Sequence, residues 1–268
     1  MRFLMYPNKA SEAAQALEKR LLEQLQESGA SVCDPASPRE ADLVAVLGGD
    51  GTLLRAVRAL HGLAKPFWVV NCGHLGYLSD CEKEDAPGAL KKILQGDYRL
   101  EKRTQLCGTI GGESELSALN EIIFHRGACT HALRFEISVN GTTAMKYRGD
   151  GLIISTASGS TAYNLSAGGP VLMPEMDLLA VTPVCPQTLS AAPLVISARD
   201  IVEAKWAMPA YEGIDEKPYL TADGEDKVRL ALTGTARFSA GEQTVALVRT
   251  REAEFYSRLL QRMNWNVS

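Results

Sequence analysis

Gly48-Gly49-Asp50-Gly51-Thr52 separates an apolar run, residues 43–47, from a helical pattern that starts at Leu53. This order predicts a buried strand, a tight turn and a helix N-terminus. Glycines let a backbone turn sharply and approach a ligand closely. The first turn of a helix offers free N–H groups and a positive dipole end, which suit phosphate. A carboxylate such as Asp50 repels phosphate, so its presence indicates a different role, such as binding a hydroxyl, taking its proton or holding a metal.

An ordinary strand-to-helix turn with an incidental Asp also fits these five residues. They lack the Lys-Ser/Thr ending of a P-loop and the spacing of a G-x-G-x-x-G fingerprint. The flanking sequence is therefore needed to decide between the two interpretations.

Strands and helices alternate around this turn through the first third of the chain. The predicted strands are 3–6, 43–47 and 67–70, and the predicted helices are 11–28, the segment from the turn to about His61, and 85–95. Such alternation indicates a parallel sheet with helices on its faces. Ligands bind at the C-terminal ends of strands in such sheets. Asp50 and the turn at 71–76 both follow such ends.

The chain becomes strand-rich from about Tyr98. Asn140-Gly141 is a strong signal for a two-residue hairpin. The predicted strands are 134–139, 152–155, 194–196, 202–208, 228–232 and 244–248, and a final amphipathic helix is predicted at about 252–263. The predicted fold class is α/β plus β: a Rossmann-like α/β domain at 1–97, a larger β-rich domain at 98–249, and a C-terminal helix at 250–268 that packs back on the first domain.

Composition limits the classes of function. The chain has 268 residues, 46% of them hydrophobic and 22% charged, with a net charge of −4. These values are typical of a globular protein and argue against a general nucleic-acid binder. We expect no membrane span, because no apolar stretch approaches 18 residues. We expect a cytoplasmic location, because the N-terminus reads as a strand rather than a signal peptide.

Four further segments carry more polar residues than plain structure requires. They are 119–124, where Asn120 and Glu121 begin an apolar strand, 148–164, 167–170 and 221–225. In the second segment a buried-type strand leads into a run of small hydroxyl residues, whose short donors suit close contact with a polar ligand. Solvated strand edges and simple turns, such as Asp223-Gly224, remain alternatives for the other three.

Together these segments resemble the NAD kinase family. The matching sequence motifs follow the order in which the family has them. They are GGDGT at 48–52, NCGHLGYL at 71–78, NE at 120–121, DGLIISTASGSTAYNLSAGGP at 150–170, TPVCPQTLSAAPL at 182–194 and ADGE at 222–225. GGDGT alone also occurs in lipid kinases and phosphofructokinases, whereas the motif at 150–170 is specific to the NAD kinase family. The resemblance implies ATP-dependent phosphorylation of the adenosine-ribose 2′-hydroxyl of NAD, giving NADP.

The resemblance also implies roles for single residues. Asp50 is implied as the general base that contacts the 2′-hydroxyl. The donor phosphates are implied to bind Gly48, Gly49, Gly51 and Thr52. NAD is implied to bind Asp50, Gly51, Tyr77, Asn120, Glu121, Asp150, Ser158, Thr161, Ala162, Tyr163 and Asp223. In homo-oligomers of the family, the residue matching Asp150 reaches the nicotinamide end from a neighbouring subunit, so a homodimer or homotetramer is expected.

The chain departs from the family pattern at a few positions. Ala157 replaces Pro, Ser158 replaces Thr, Cys72 replaces Gly, Gln187 replaces His and Ala192 replaces Arg. The exchange at Ser158 keeps a hydroxyl. The lost arginine at Ala192 could weaken a contact with the new 2′-phosphate or a subunit interface.

The six cysteines and four histidines lack metal-ligand spacing. We therefore expect Mg²⁺ to arrive with ATP rather than in a dedicated protein site. Inorganic polyphosphate remains an alternative donor, and NADH an alternative acceptor. Two other functions stay open at this point: a lipid kinase that shares GGDGT, and a catalytically silent dinucleotide-binding regulator.

Overall fold

The computed structural model describes residues 1–73, 76–112, 114–127, 131–188, 190–208, 217–252 and 255–263. The strands are β1 (Arg2–Pro7), β2 (Ser31–Val32), β3 (Leu43–Leu47), β4 (Phe67–Asn71), β5 (Cys81–Glu82), β6 (Arg99–Ile110), β7 (Ser114–Ala118), β8 (Glu121–His125), β9 (Leu133–Val139), β10 (Thr142–Gly149), β11 (Gly151–Thr156), β12 (Leu178–Val184), β13 (Leu194–Ser197), β14 (Val202–Ala207), β15 (Tyr219–Ala222), β16 (Glu225–Arg229) and β17 (Thr233–Arg249). The α-helices are α1 (Glu12–Glu27), α2 (Asp50–Ala59), α3 (Ala86–Leu94), α4 (Tyr163–Ser166) and α5 (Phe255–Met263).

The chain divides into two compact units. The first comprises Met1–Lys102 and Val245–Ser268, and the second comprises Arg103–Thr244. Strands β6 and β17 therefore contribute residues to both units. The boundaries predicted from sequence lay after residues 97 and 249. The predicted fold class, α/β plus β, is confirmed.

The first unit is built on a parallel sheet. Its strand order is β2-β1-β3-β4, and β4 also pairs with β5 and with the end of β17. Every residue of β3 and of β4 is buried, as expected for central strands of a sheet covered by helices. The core includes leucines of α1 and apolar residues of α3. The prediction of a parallel sheet with helices is confirmed.

Helix α1 begins and ends where its sequence signals lie. The Ser11 side chain accepts a hydrogen bond from the Ala14 N–H, and Gly29 adopts a φ of +72° just beyond the C-terminus. Such a cap satisfies one of the free N–H groups of the first turn, and glycine occupies the left-handed conformation at little cost. The helix predicted at 11–28 is confirmed.

Helix α2 begins earlier than the sequence pattern indicated. Gly49 is its N-cap and Asp50 its first residue, whereas the helical pattern was expected from Leu53. Gly48 and Gly49 complete the turn by themselves, and the Gly49 carbonyl accepts hydrogen bonds from the N–H groups of Thr52 and Leu53. Asp50 therefore lies in the first turn of the helix, beside its positive dipole end.

The second unit is antiparallel. One sheet has the order β13-β12-β11-β8-β15-β16, and a second group contains the paired strands β10-β9-β14-β17. Phe124 of the first sheet packs its ring 5.4–5.9 Å from the rings of Phe135, Trp206 and Phe238 in the second group. Aromatic packing of this kind joins the two sheets through one hydrophobic core.

Two turns that the sequence predicted can be compared with hairpins of this unit. Asn140 and Gly141 have φ values of +49° and +81°, and β9 pairs with β10 around them, so the predicted hairpin is confirmed. Asp223 and Gly224 form a similar turn between β15 and β16. The strand predicted at 228–232 was wrong in its bounds: this two-residue turn lets β16 begin at Glu225 and end at Arg229.

Strands β2, β5, β6, β7 and β12 were not predicted from sequence. The final helix, predicted at about 252–263, is α5 at Phe255–Met263, and residues 253–254 lie outside the described part of the chain. Within that part, no helix is both long and apolar enough to cross a bilayer. The cysteines described there are free: Cys33, Cys72, Cys81, Cys107 and Cys185.

Candidate functional site

Asp50 lies directly after the C-terminal end of β3, and its carboxylate accepts two backbone hydrogen bonds. The Tyr77 N–H donates to Oδ2 at 2.9 Å, and the Leu78 N–H donates to Oδ1 at 3.1 Å. These two donors fix the rotation of the carboxylate. Each oxygen keeps lone-pair capacity for another partner, because a carboxylate offers about four acceptor positions.

Gly76 allows the loop that follows β4 to approach Asp50. A Cβ atom on Gly76 would collide with the Asp50 carboxylate, so the backbone can pass there only as glycine. The next residue, Tyr77, is half-buried, and its ring centroid lies 6.4 Å from that of Phe255 on α5. The turn predicted at 71–76 thus lies at the end of β4, although residues 74–75 are outside the described part.

The glycines of the 48–52 turn differ in their surroundings. A Cβ atom on Gly48 would collide with the Thr52 side chain, whereas one on Gly49 or Gly51 would meet nothing within 4 Å. Gly48 is therefore required by packing inside the protein. The space beside Gly49 and Gly51 is open, so a ligand has room to approach the backbone closely there.

Thr52 is buried, and its hydroxyl accepts a hydrogen bond from Arg55 at 3.4 Å. In this arrangement the Thr52 side chain supports the turn. Thr52 also lines a cavity beside this turn.

A cavity of about 900 Å³ lies beside this turn, within the first unit. It is lined by the end of β1, the start of α1, Pro35 and the first turns of α2, including the charged side chains of Lys9, Glu18 and Arg55. The adjacent ends of β1 and β3 are in register, Pro7 beside Leu47. Sequence reasoning missed Lys9 and Arg55. The signal available was the parallel strand before α1, whose C-terminal end carries Asn8 and Lys9.

In the second unit, Asp223 organises the backbone around Asn120. Its Oδ2 accepts from the Leu119 N–H at 2.8 Å, and its Oδ1 accepts from the N–H groups of Asn120 at 2.8 Å and Glu121 at 3.2 Å. Asp223 can reach them because the left-handed turn Asp223-Gly224 places it beside the start of β8. Asp223 thus holds the backbone that carries the two predicted ligand-binding side chains.

Three predicted site residues near this point keep buried polar atoms without a protein partner. These atoms are Oδ1 of Asn120, Oε2 of Glu121 and Oγ of Ser158. Gly159 permits the close approach of Ser158, since a Cβ atom on Gly159 would collide with the Asn120 carbonyl oxygen. Buried polar atoms are nearly always hydrogen-bonded, so a cluster of three such atoms marks a place that a polar ligand would complete.

The hydroxyl groups of Thr156 and Ser160 and the amide group of Asn164 serve the fold. The Thr156 hydroxyl donates to the Leu119 carbonyl at 2.6 Å, and the Ser160 hydroxyl donates to the Ala157 carbonyl at 2.7 Å. Asn164 is fully buried and bonded to Ser160, Pro170 and Thr182. The side chains of Thr156, Ser160 and Asn164 thus bond to neighbouring backbone and side-chain groups of the protein.

The remaining predicted residues of this segment are more open. Thr161 and Ala162 are half-buried and Tyr163 is 41% exposed, on the short helical turns after β11. Asp150 lies at the opposite end of β11, where its carboxylate is paired with Arg126 at 3.1 Å. Ser155, which pairs with Glu121, lies five positions after Asp150, so the two are about 17 Å apart along the strand.

No group of three or more His, Cys, Asp or Glu side chains in the described ranges has a geometry that could hold a metal ion. Asp50 already accepts two backbone hydrogen bonds. The residues described therefore do not form a dedicated cage for Mg²⁺.

Glu121 has an altered acid–base equilibrium. Burial, and then the nearby negative charge of Asp223, raise the pKa of the Glu121 carboxyl to about 8. Removal from water disfavours the charged form of a carboxyl group, and a like charge adds to this effect. The carboxyl is therefore protonated at neutral pH and can donate one hydrogen bond to a ligand.

Comparison with known families matches nearly the whole chain. The ATP-NAD kinase N-terminal domain matches residues 8–98, and the ATP-NAD kinase C-terminal domain matches residues 119–250. The NAD kinase of Symbiobacterium thermophilum is 35% identical over 98% of this chain and 99% of its own length. That of Geobacter metallireducens is 36% identical over 85% of this chain and 80% of its own.

Two solved structures are similar in fold. Yeast NADH kinase, in complex with NADH, superposes with a TM-score of 0.90 at 19% identity, over 100% of this chain and 88% of that one. The NAD kinase of Archaeoglobus fulgidus, in complex with ATP, gives a TM-score of 0.80 at 24% identity, over 98% of this chain and 99% of that one. These comparisons favour neither the lipid-kinase nor the silent-regulator alternative.

The pKa of Glu121 predicts a specific pH dependence of stability. The folded protein holds the Glu121 proton up to about pH 8, whereas the unfolded chain releases it near pH ~4.3. Because the folded state binds more protons across this window, the Glu121 contribution to the free energy of unfolding falls as pH rises from about 4.3 to 8. Glu121→Gln is expected to reduce this fall in thermal unfolding measured from about pH 5 to 8.

Glu23→Gln, an exposed site on α1, is the matched control and should leave the wild-type pH profile unchanged. A Glu121→Gln profile parallel to wild type would contradict the raised pKa.

Proposed function

Because this chain belongs to the NAD kinase family and is an enzyme that phosphorylates NAD, we propose that Asp50 is its general base and the 2′-hydroxyl of the adenosine ribose its target. Asp50 accepts the proton of that hydroxyl. The oxygen then forms a bond to the terminal phosphorus of ATP, the bond from that phosphorus to the bridging oxygen breaks, and ADP leaves. The product is NADP.

The observation that carries this proposal is the fixed carboxylate of Asp50. Two backbone N–H groups orient it at 2.9 and 3.1 Å, at the C-terminal end of a parallel strand. An alcohol is a poor nucleophile at neutral pH, and a positioned base contributes roughly 10²–10⁴-fold to such a reaction. Phosphoryl transfer otherwise depends on positioning and on neutralising phosphate charge.

NAD recognition in this proposal uses the unpartnered groups of the second unit. Asn120 offers an amide oxygen that accepts, and Glu121 and Ser158 offer groups that donate or accept. Ribose hydroxyls and the adenine edge supply complementary partners. Thr161, Ala162 and Tyr163 supply further surface in the same unit, and Asp223 acts by holding Asn120 and Glu121 in place. The role of Tyr77 toward NAD is proposed on the family resemblance alone.

The phosphoryl donor binds, in this proposal, at the open side of Gly49 and Gly51 and in the adjoining cavity. Lys9 and Arg55 line that cavity, as do Glu18 and Thr52, and the first turn of α2, which can bind phosphate, includes Thr52. Mg²⁺ enters as part of the Mg-ATP substrate and offsets phosphate charge. The structurally similar NAD kinase of Archaeoglobus fulgidus was solved in complex with ATP, which supports ATP as donor.

A homo-oligomer is proposed on the position of Asp150. Within one chain this carboxylate lies about 17 Å along β11 from the residues beside Glu121. In this proposal a second copy of the chain brings its Asp150 to the nicotinamide end, as the family resemblance implies. We propose a cytoplasmic location, because the described cysteines form no disulfide and free cysteines suit a reducing compartment. Recovery of the enzyme in a membrane fraction would contradict this location.

Asp50→Asn is expected to lower kcat for NADP formation by roughly 10²–10⁴-fold, because the amide cannot accept the hydroxyl proton. Calorimetric titration should still detect NAD binding. Asp97→Asn, an exposed position, is the control for an Asp-to-Asn exchange and should retain wild-type kcat. Near-normal turnover of Asp50→Asn would remove Asp50 from the role of base.

Lys9→Gln and Arg55→Gln are each expected to raise KM for Mg-ATP several-fold, because each removes a positive charge from the proposed donor cavity. KM for NAD should stay unchanged. Lys19→Gln removes a comparable charge from an exposed part of α1 and should change neither value. Repeating the assay with inorganic polyphosphate shows whether that donor uses the same cations, and unchanged KM values for both donors would contradict this placement.

Kinase activity is expected to depend on the assembly of the oligomer. Sedimentation velocity and the kinase assay, run over the same range of protein concentration, should show turnover per chain falling as the oligomer dissociates. A monomer with full specific activity would contradict the need for a second copy.

A further inference from the structure

The loop formed by residues 76–80, named loop 76–80 below, is bound from two directions. On one side the N–H groups of Tyr77 and Leu78 donate to Asp50. On the other side its carbonyl groups accept hydrogen bonds from arginines of the C-terminal segment, within the same compact unit. The position of the Asp50 carboxylate therefore depends on residues that are distant in sequence, because Arg258 lies 182 positions after Gly76.

Arg249 provides the buried part of this attachment. Its Nη1 donates to the carbonyls of Leu78 and Ser79, each at 3.0 Å. Its Nε and Nη2 donate to the two carboxylate oxygens of Glu101 at 3.3 and 3.1 Å. Both side chains are buried, so removing either would leave an unpaired buried charge, which is strongly destabilising.

Arg258, on α5, provides the second part. Its Nη1 donates to the Ser79 carbonyl at 2.6 Å and to the Gly76 carbonyl at 3.3 Å, and its Nη2 donates to the Asp80 carbonyl at 3.3 Å. Burial and the positive charges of Arg249 and Arg251 lower the pKa of Arg258, while Asp50 and Glu82 raise it. Arg258 is only partly buried, so its loss is less harmful to folding than the loss of Arg249.

The bond from Arg258 to Gly76 has a direct geometric consequence. The Gly76 carbonyl and the Tyr77 N–H belong to one planar peptide group. Arg258 holds the oxygen of this group and Asp50 accepts from its nitrogen, so the guanidinium, the peptide plane and the carboxylate form a continuous chain. Hydrogen bonds in such chains polarise and strengthen one another.

We propose that Arg258 is a positioning residue for phosphoryl transfer, which acts through the Gly76–Tyr77 peptide on the orientation of Asp50. This inference rests on the proposed role of Asp50 as base. The C-terminal helix thereby contributes to catalysis without touching substrate.

Arg258→Gln is expected to lower kcat about 10- to 100-fold, the effect of a misplacement of roughly 1 Å. Arg258→Lys should recover part of the loss, because one ammonium group can donate to a carbonyl but cannot reproduce the guanidinium fork. Lys92→Gln is the matched control: Lys92 donates to the Thr250 carbonyl at 2.9 Å, so it also attaches the C-terminal segment, but through Thr250, which bonds to the Asp80 side chain and not to the Gly76–Tyr77 peptide. It should keep wild-type kcat.

A double-mutant cycle separates positioning from general stability. If Arg258 acts through Asp50, Arg258→Gln should have little further effect on the residual activity of Asp50→Asn. Amide hydrogen exchange at Tyr77, measured by NMR without substrate, should be faster in Arg258→Gln than in wild type. Thermal unfolding of each variant checks folding, and if Arg258→Gln does not fold, Arg258→Lys serves for all three measurements.

Unchanged kcat with unchanged exchange at Tyr77 would overturn the inference. Equal fold-losses from Arg258→Gln with and without Asp50→Asn would also overturn it, because the two residues would then act independently. Full activity of Asp50→Asn alone would instead contradict the proposed base, so the two failures are distinguishable.

Discussion

In each unit, a carboxylate that accepts neighbouring backbone N–H groups determines the shape of the functional segment. Asp50 accepts from Tyr77 and Leu78, and Asp223 accepts from Leu119, Asn120 and Glu121. Charge-assisted bonds of this type are stronger than bonds between neutral groups. They satisfy backbone N–H groups in these segments, and they set the direction of the side chains that follow.

The two carboxylates have different consequences. Asp50 is oriented by its donors and placed beside a helix N-terminus, where a negative charge is stabilised. Asp223 lies close to Glu121, and its charge adds to the burial that raises the pKa of Glu121. The first arrangement suits a base that must be charged, and the second suits a carboxyl group that donates a hydrogen bond.

Polar groups buried in the first unit are largely paired with one another. Asp80 accepts from the Trp68 indole N–H at 3.1 Å and from the backbone N–H and hydroxyl of Thr250 at 2.9 and 2.7 Å. The second unit instead keeps Asn120, Glu121 and Ser158 with unpartnered atoms. Such atoms cost stability, and the cost is understandable where a ligand supplies the missing partners.

Local sequence by itself determined much of this protein. The caps and apolar spacing of α1, the buried runs of β3 and β4, and the hairpin at Asn140-Gly141 depend on neighbours in the chain, so their patterns predicted them. The predicted importance of Asp50 followed from its place between a strand and a helix. The resemblance at 150–170 carried the family assignment, and it assigned Ser158, whose hydroxyl lacks a partner, but not Ser160, which serves a turn, to the NAD site.

Only the tertiary structure decided which groups meet across long sequence separations. Arg258 reaches loop 76–80, Asp223 reaches Asn120, and Lys9 and Arg55 line one cavity. None of these contacts has a periodic or local signal, because hydrogen bonds between distant segments depend on how the sheets bring strand ends together. Burial and its effect on Glu121 likewise arise only after packing has removed the carboxyl group from water.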